Sequence, residues 1–343
     1  MGRIATVHKN LPPRMRKRVR PGGRVYYFFD TGAKPRKEIS LGSDYTIALR
    51  KYSEISIITV PIAKATFGDA IIKYMAEEWP LLSSNTQHTH KSDIKHVRAF
   101  FSDAPIDQIR PLHIKQFLAK HKAIPTTANR CKRLFSTIWN HARGWGYTDM
   151  ANPCEGIQGH SLKKRTVYID DDLFAAVYAH ASAPLQDAMD LAYLTGQRPA
   201  DALLMTERDI IDGCLKFTQG KTGKILRITV SGKLAELMDR IVARKATHKI
   251  VTAALLTNTH GKALTAPALR SQFAKAKAAA AAQDQGMKAA LKEFWFYDLR
   301  AKAADDTSDQ RGDQAASDLL GHEGVKTTQR HYLRRGKIVS PTR

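Results

Sequence analysis

The spacing of apolar residues changes character twice along this chain, and each change limits what the flanking segments can become. From residue 66 to 157 the apolar residues recur at helical intervals. "TFGDAIIKYMAEEW" opens with a threonine able to cap and sets Phe67, Ile71, Tyr74 and Met75 on one helical face. "THKSDIKHVRAFF" repeats that spacing, "PLHIKQFLAKHK" has an early proline and a basic end, and "TTANRCKRLFSTIWNHARGWG" stops at Gly144 or Gly146. Four helices are expected here, with Lys, Arg and His on the faces that the apolar stripe leaves over. Such faces are either solvated or turned to DNA.

On either side the pattern differs. Residues 1–45 hold a Pro pair, a basic run, a Pro-Gly-Gly turn, the strand-like "RVYYFF" and then "KEISL", which fits two or three short antiparallel strands; "YTIALRKYSEISI" then has helical spacing. "EGIQGHSLKKRTVYID", with two glycines and a basic triplet, makes a linker. Beyond it two helical runs lead into "GCLKFTQGKTGKILRITVS", which alternates and turns like a hairpin, and further helices follow, among them the Ala-rich "SQFAKAKAAAAAQ". The expected organisation is multidomain. A small β-rich N-terminal domain spans residues 1–62, an all-α domain 63–160 and an α+β domain 161–343.

Charge narrows the function. The chain carries a formal +23, and residues 1–64 are the most basic for their length, with 14 Lys/Arg against 4 Asp/Glu. An excess of this size calls for a polyanionic partner, and nucleic acid is the default. No run approaches 18 uncharged apolar residues and "MGRIATVHKN" lacks an apolar signal core, so a membrane span and secretion are not expected and the cytoplasm is. Cys131, Cys154 and Cys214 are odd in number and never paired as CxxC, which argues for buried thiols over a disulfide framework or a zinc site. No metal or cofactor is expected.

Four segments of the last region each set a cationic or nucleophilic residue beside a structural punctuator: "LTGQRPADALLMTERDI", "QGKTGK", "FYDLRAKAADD" and "LLGHEGVKTTQRHYLRR". In the first, Gly196 ends one helix and Arg198 begins another, where a guanidinium and free backbone N–H groups can face one phosphate. "GKT" invites a P-loop reading, but that motif needs glycine five residues before Gly220, and Leu215 stands there.

Arg, Lys, Arg, His and Tyr in this order and context resemble the tyrosine recombinase family, the phage integrases. The resemblance implies roles residue by residue. "TGQR" supplies a first arginine at Arg198, "GKTGK" the hairpin lysine at Lys221, "YDLR" the second arginine at Arg300, "LGH" the histidine at His322, and Tyr332 is the nucleophile. Asp201, three residues after Arg198, matches the acidic position that supports the site from behind. "MGR", "LPPRM", "YYFF" and "LGSDYTIAL" are similar to the arm-type DNA-binding domain of lambda-like integrases, so the resemblance covers three domains. There Arg16, Lys17, Arg18 and Arg24 would hold phosphates while a sheet reads base edges.

Two departures stand out. Tyr297 occupies the place where the family most often has histidine, three residues before the second arginine. The interval from His322 to Tyr332 is ten residues, one more than expected, which sets His331 where the usual spacing puts tyrosine. A one-residue bulge would return Tyr332 to the site, and His331 stays open as a nucleophile.

The resemblance implies cleavage of a phosphodiester without metal or ATP. Fixed arginines neutralise the nonbridging oxygens, Tyr332 loses its proton with the help of the positive field and of His322 or Tyr297, and Lys221 protonates the departing oxygen. A covalent 3′-phosphotyrosine keeps the ester energy for strand exchange. Double-stranded attachment sites and a homotetramer on synapsed DNA are the implied partners, with an excisionase or a host DNA-bending factor as possible accessories. The alternatives are a type IB topoisomerase-like religation of the same strand and a noncatalytic DNA-binding regulator.

Overall fold

The computed structural model describes residues 11–12, 14–32, 35–59, 65–250, 252–336, 339 and 341–342. The chain divides into two compact units, residues 1–162 and 163–343. The boundary expected near residue 62 lies outside the described residues.

The first unit holds two separate hydrophobic clusters. In one, β1 (Met15–Val19), β2 (Val25–Asp30) and β3 (Glu38–Gly42) form an antiparallel sheet in chain order. The chain reverses at "RPGGR" because Gly22 and Gly23 take positive φ there, and the Arg20 N–H closes the turn on the Arg24 carbonyl at 2.9 Å. Strand alternation sends Met15, Tyr27, Phe29 and Leu41 to one face, where they pack with Ala48 of α1 (Tyr45–Thr59). The opposite face carries Arg16, Arg18, Tyr26 and Phe28. Arg18 lies over the Phe28 ring and Arg20 over Tyr26, each at 5.0 Å.

The four arm residues do not share one face. Arg16 and Arg18 are exposed on the open face and pair with Asp30 at 3.1 Å and Glu38 at 2.6 Å. Lys17, one residue out of phase with them, points to the α1 side and is half-buried, while Arg24 is exposed at the turn.

The other cluster is helical: α2 (Phe67–Glu77), α3 (Ser84–Phe101), α4 (Pro111–Lys120) and α5 (Pro125–Gly144). Thr66 caps α2 in a reciprocal box with Asp69, whose carboxylate accepts the Thr66 N–H at 2.8 Å. Phe67 stacks on Phe135 at 4.2 Å, beside Trp139. Phe67, Ile71 and Tyr74 are buried as expected, but Met75 is 39% exposed. Eight residues along a helix turn it roughly 80° from Phe67, to the rim of the apolar stripe. The buried Asp93 carboxylate takes a two-pronged contact from Arg130 at 2.8 and 3.0 Å, tying α3 to α5. Burial pushes the Cys131 and Cys154 thiols up to about 12. Cys214 is only half-buried, because it sits at the start of a short strand.

The second unit is α+β. Helices α6 (Asp171–Ala179), α7 (Ala183–Thr195) and the four-residue α8 (Pro199–Ala202) precede a small antiparallel sheet. Its strands are β4 (Ile210–Ile211), β5 (Cys214–Thr218) and β6 (Ile225–Thr229), in that order. Next come α9 (Lys233–Ala246), α10 (Ala266–Gln283), α11 (Lys288–Glu293), α12 (Leu299–Leu320) and α13 (Val325–His331). The long α12 is broken at Gly312, whose φ of 84° no helix interior accepts. The core of the unit joins Leu185, Met189 and Leu191 of α7 to Leu237 and Ile241 of α9 and Phe273 of α10. No described helix is long and apolar enough to cross a membrane.

Candidate active site

Four chain segments meet where α7, the β5–β6 turn, the start of α12 and the end of α13 converge. Gly196 ends α7 in the left-handed region at φ 63°. A Cβ there would meet Leu320 at 3.0 Å, so glycine lets α7 abut the end of α12. Gln197 and Gln219, both fully buried, then lock the corner. The Gln219 amide donates to Gln197 Oε1 at 2.7 Å and to the Leu320 carbonyl at 2.9 Å, and Gln197 donates to the Leu319 carbonyl at 2.8 Å.

Arg198 caps α8, with its side chain 16% exposed and its Nη1 3.5 Å from Asp201 Oδ2. That is longer than a hydrogen bond, and Nη1 has no other protein partner. Asp201 Oδ1 accepts the Gly220 N–H at 3.0 Å and so holds the root of the turn that carries Lys221. The Asp201 and Ala202 N–H groups are spent on the Arg198 carbonyl, so α8 presents less free backbone to an anion than expected. Lys221 is exposed at the tip of residues 219–224.

Arg300, in the first turn of α12, is 1% exposed and spread over several acceptors. It donates to the Gly196 carbonyl at 2.6 Å and the Leu320 carbonyl at 2.8 Å, and its Nη2 lies 3.2 Å from His322 Nε2. Since a guanidinium only donates, His322 Nε2 accepts. Its proton therefore resides on Nδ1, which donates to Thr328 Oγ1 at 2.7 Å. Gly321, at φ 69°, admits nothing larger, because a Cβ would meet Gln219 and Leu226 at 2.9 Å.

Tyr332 closes α13 and is 8% exposed. Its hydroxyl is 2.6 Å from that of Tyr297, its ring lies 5.2 Å from the Arg300 guanidinium, and its ring centroid is 4.9 Å from that of His322. α13 runs without a bulge from Val325 to His331. The turn widens only at its end, where the Tyr332 and Leu333 N–H groups both donate to the Thr328 carbonyl, at 2.8 and 3.2 Å. His331 is exposed, one residue short of the buried contact. Lys164, Arg165, Arg198, Lys221, Lys224, Trp295, Tyr297, His322, Arg330, His331 and Tyr332 all line one open cleft of about 1030 Å³.

The electrostatics separate the two phenols. Burial pushes the Tyr297 phenol up to about 12, reinforced by its hydrogen bond to Tyr332. Burial also opposes ionisation of Tyr332, but the hydrogen bond with Tyr297 and the charges of Arg300 and Arg198 outweigh it and hold Tyr332 below the usual tyrosine value. Either hydroxyl can donate in the bond they share, and the charges of Arg300 and Arg198 favour ionisation of the pair. Burial, then Arg300, Arg198, Lys224 and His331, push His322 down to about 4. Between pH 6.5 and 4 the unfolded chain binds the proton that folded His322 refuses, so this contribution to stability falls as pH falls and is gone below about 4. Melting temperatures across that range should drop on acidification, with a shallower slope in His322→Gln.

Sequence reasoning brought forward Arg198, Asp201, Lys221, Tyr297, Arg300, His322 and Tyr332, and one unit holds them all. It missed Gln197, Gln219, Thr328 and Lys224, whose Nζ donates to the His322 carbonyl at 3.2 Å. Gln197 stands inside "TGQR" and Lys224 inside "GKTGK", so adjacency to a site residue was the available signal.

A phenol beside a buried guanidinium and a neutral imidazole faces a basic cleft able to hold a phosphate ester. Residues 171–337 match the profile described as "Phage integrase family", and residues 66–136 match "Phage integrase, N-terminal SAM-like domain". The integrase of Escherichia phage HK022 is 26% identical, covering 96% of this chain and 95% of the phage protein; the integrase of Escherichia phage lambda is 24% identical over the same shares. The fold is similar to that of a lambda integrase tetramer bound to a Holliday junction, with TM-score 0.69 and 21% identity over 98% of this chain and 99% of that one. The chain belongs to the tyrosine recombinases, as a phage integrase of the lambda-like kind.

Proposed function

We propose that the chain recombines DNA at specific attachment sites, integrating a phage or prophage genome, through a covalent 3′-phosphotyrosine formed on Tyr332. The observation that carries this is the 2.6 Å contact between the Tyr297 and Tyr332 hydroxyls, with the Arg300 guanidinium against the Tyr332 ring. Tyr332 Oη attacks the scissile phosphorus and releases its proton to solvent in the cleft as the bond to the 5′ oxygen breaks. Arg198 and Arg300 stabilise the nonbridging oxygens, and Lys221 on its exposed turn delivers a proton to the leaving 5′ oxygen. The 5′-hydroxyl of a second strand then displaces Tyr332, so exchange needs neither ATP nor metal. The lambda integrase tetramer on a Holliday junction supports a homotetramer of this chain on synapsed DNA.

A nicked duplex carrying the site that the chain selects from a random pool tests the reading. A denaturation-resistant adduct in EDTA without ATP, followed by exchanged strands, is the expected result. Religation of the same strand alone would make the chain a type IB topoisomerase-like enzyme, and tight binding without adduct would make it a regulator.

Tyr297→Phe should slow adduct formation by roughly ten- to a thousandfold, as for loss of a proton-handling group. Without the Tyr297 hydroxyl the Tyr332 pKa rises, so the midpoint of the pH–rate curve should move to higher pH. An unchanged curve would reduce Tyr297 to packing.

The open face of the first sheet suits an arm-site reader, with Arg16, Arg18 and Arg24 holding phosphates; Lys17 would reach them only from the sheet's other side. On this reading residues 1–62, 63–160 and 161–343 act as arm-binding, core-binding and catalytic domains. Deleting residues 1–62 should preserve adduct formation on a core-site duplex, abolish integration between full attachment sites and flatten the salt dependence of binding. Uniform loss of affinity on all DNA would instead mark a nonspecific basic tail.

A further inference from the structure

Asp298 lies between Tyr297 and the start of α12, and its carboxylate is fully buried. Two guanidiniums share it. Arg165 reaches it with Nε at 2.8 Å and Nη2 at 2.5 Å, Arg334 with Nη1 at 2.6 Å, and the Trp295 N–H adds a fourth contact at 2.8 Å. The arginines come from opposite ends of the second unit. Arg165 belongs to the extended segment that opens the unit, and Arg334 stands two residues beyond Tyr332. Arg334 Nη1 also donates to the Val167 carbonyl at 2.8 Å, so the opening segment meets Arg334 directly as well as through Asp298. The backbone beyond Tyr332 is fixed as well, because Asp305 Oδ1 accepts the N–H groups of Arg334 at 2.9 Å and Arg335 at 3.2 Å. Arg165 is held from its far side by the Trp295 ring, 3.9 Å from its Cζ.

We propose that Asp298 is a positioning residue that couples the segment opening the second unit to Tyr332, through Arg165 on one side and Arg334 on the other. This rests on the reading of Tyr332 as nucleophile. Beyond Tyr332 the backbone is held by Asp305, and the Arg334–Asp298 contact adds a side-chain anchor in the same turn that presents Tyr297, so the two phenols are referred to one point. A buried carboxylate shared by two guanidiniums, a fork from Arg165 and a single Nη1 from Arg334, is cooperative: removing either arginine leaves the other with a changed partner. Strain in the opening segment therefore reaches Arg334 without passing through the core of the unit. A reacting group displaced by a fraction of an ångström loses rate while the DNA contacts elsewhere keep their affinity.

The test measures single-turnover adduct formation by the full chain at saturating nicked duplex, with dissociation constants for intact duplex and melting temperatures alongside. Arg334→Ala should slow the rate by about tenfold or more while the dissociation constant stays within about twofold, since misplacement of a reacting group acts on the chemical step. Arg334→Lys, which keeps the charge but not the guanidinium, should recover part of the rate. Arg165→Ala should slow it less, and the double variant should lose less than the product of the two single losses. In Asp298→Asn neither arginine substitution should slow the reaction further. An Arg334→Ala rate equal to the parent's, or losses at Arg165 and Arg334 that simply multiply, would overturn the proposal. If Asp298→Asn does not fold, the arginine cycle in the parent background decides by the same criterion. Adduct that persists in Tyr332→Phe would overturn the nucleophile reading itself, a result recognisably different from failure of the clamp.

Discussion

Tyr332→Phe is expected to abolish the covalent protein–DNA adduct and to leave DNA affinity within about twofold of the parent, because the substitution removes one oxygen and no charge. The ring keeps its place: it packs with Ala301, Ala304 and Leu320 and lies against Arg300 and His322 through ring contacts that do not need the hydroxyl. The lost hydrogen bond is the one to Tyr297, which remains half-exposed to the cleft and can be solvated there. Stability should therefore change little, and a fall in adduct of several orders of magnitude can be read as chemistry. His331→Ala is the paired control. His331 is exposed at the end of α13 and has no place in the contact between Tyr297, Arg300 and Tyr332, so its removal should leave the adduct yield near the parent's. Adduct that survives in Tyr332→Phe and disappears in His331→Ala would transfer the nucleophile to the imidazole, with a phosphoramidate that acid cleaves and a phosphotyrosine would resist.

The ordered series of Arg198, Lys221, Arg300, His322 and Tyr332 was legible because each member adjoins a residue whose backbone role can be read locally. Gly196 and Gly321 are left-handed helix ends, and residues 219–224 turn between two alternating runs. Thr66 and the spacing after it announced α2, and the alternation around "RVYYFF" announced β2. What stayed illegible depends on partners far apart in sequence. Nothing in "TGQRP" or "FTQGK" says that the two glutamines will bond each other across 22 positions, yet their pairing fixes the Lys221 turn against the end of α12. Asp298 reads as an ordinary helix-capping acid until Arg165 and Arg334 arrive from 133 and 36 residues away.

Phase errors have a different origin. Met75 lies at the rim of the apolar stripe of α2, while Lys17, at the centre of β1, is turned by strand alternation to the face opposite Arg16 and Arg18. The departure at Tyr297 was visible as a residue type and opaque as chemistry. Only the geometry shows that the phenol meets the Tyr332 hydroxyl, at 2.6 Å.

Substitution of Arg300 should have the largest combined effect on catalysis and stability. Arg300→Ala is expected to reduce the rate of adduct formation by more than about a hundredfold, the order found when one preorganised charge stabiliser is lost. Arg198→Ala should cost a comparable factor in rate. The two should part in stability. Arg198 is 16% exposed at the mouth of α8, whereas Arg300 is 1% exposed and satisfies the carbonyls of Gly196 and Leu320 from one planar group. The Leu320 carbonyl keeps its donor from Gln219, but the Gly196 carbonyl would be left buried without one at a cost of about 1–3 kcal/mol, so Arg300→Ala should lower the melting temperature where Arg198→Ala does not. Lysine cannot repair the loss at Arg300. A single ammonium has three donors on one atom and cannot reach in the separate directions of Gly196, Leu320 and His322 Nε2 at once. His322 would then lose the donor that fixes its tautomer, while Tyr332 keeps a positive charge beside it, so any loss of rate in Arg300→Lys reports the lost fork. Lysine should rescue poorly at Arg198 too, since a point charge does not clamp two phosphate oxygens. The measurement is adduct formation at saturating duplex across pH, with thermal melting of the same samples. Parental rates in Arg300→Lys would show that the site uses Arg300 as a charge alone and that the forked geometry around it is scaffolding.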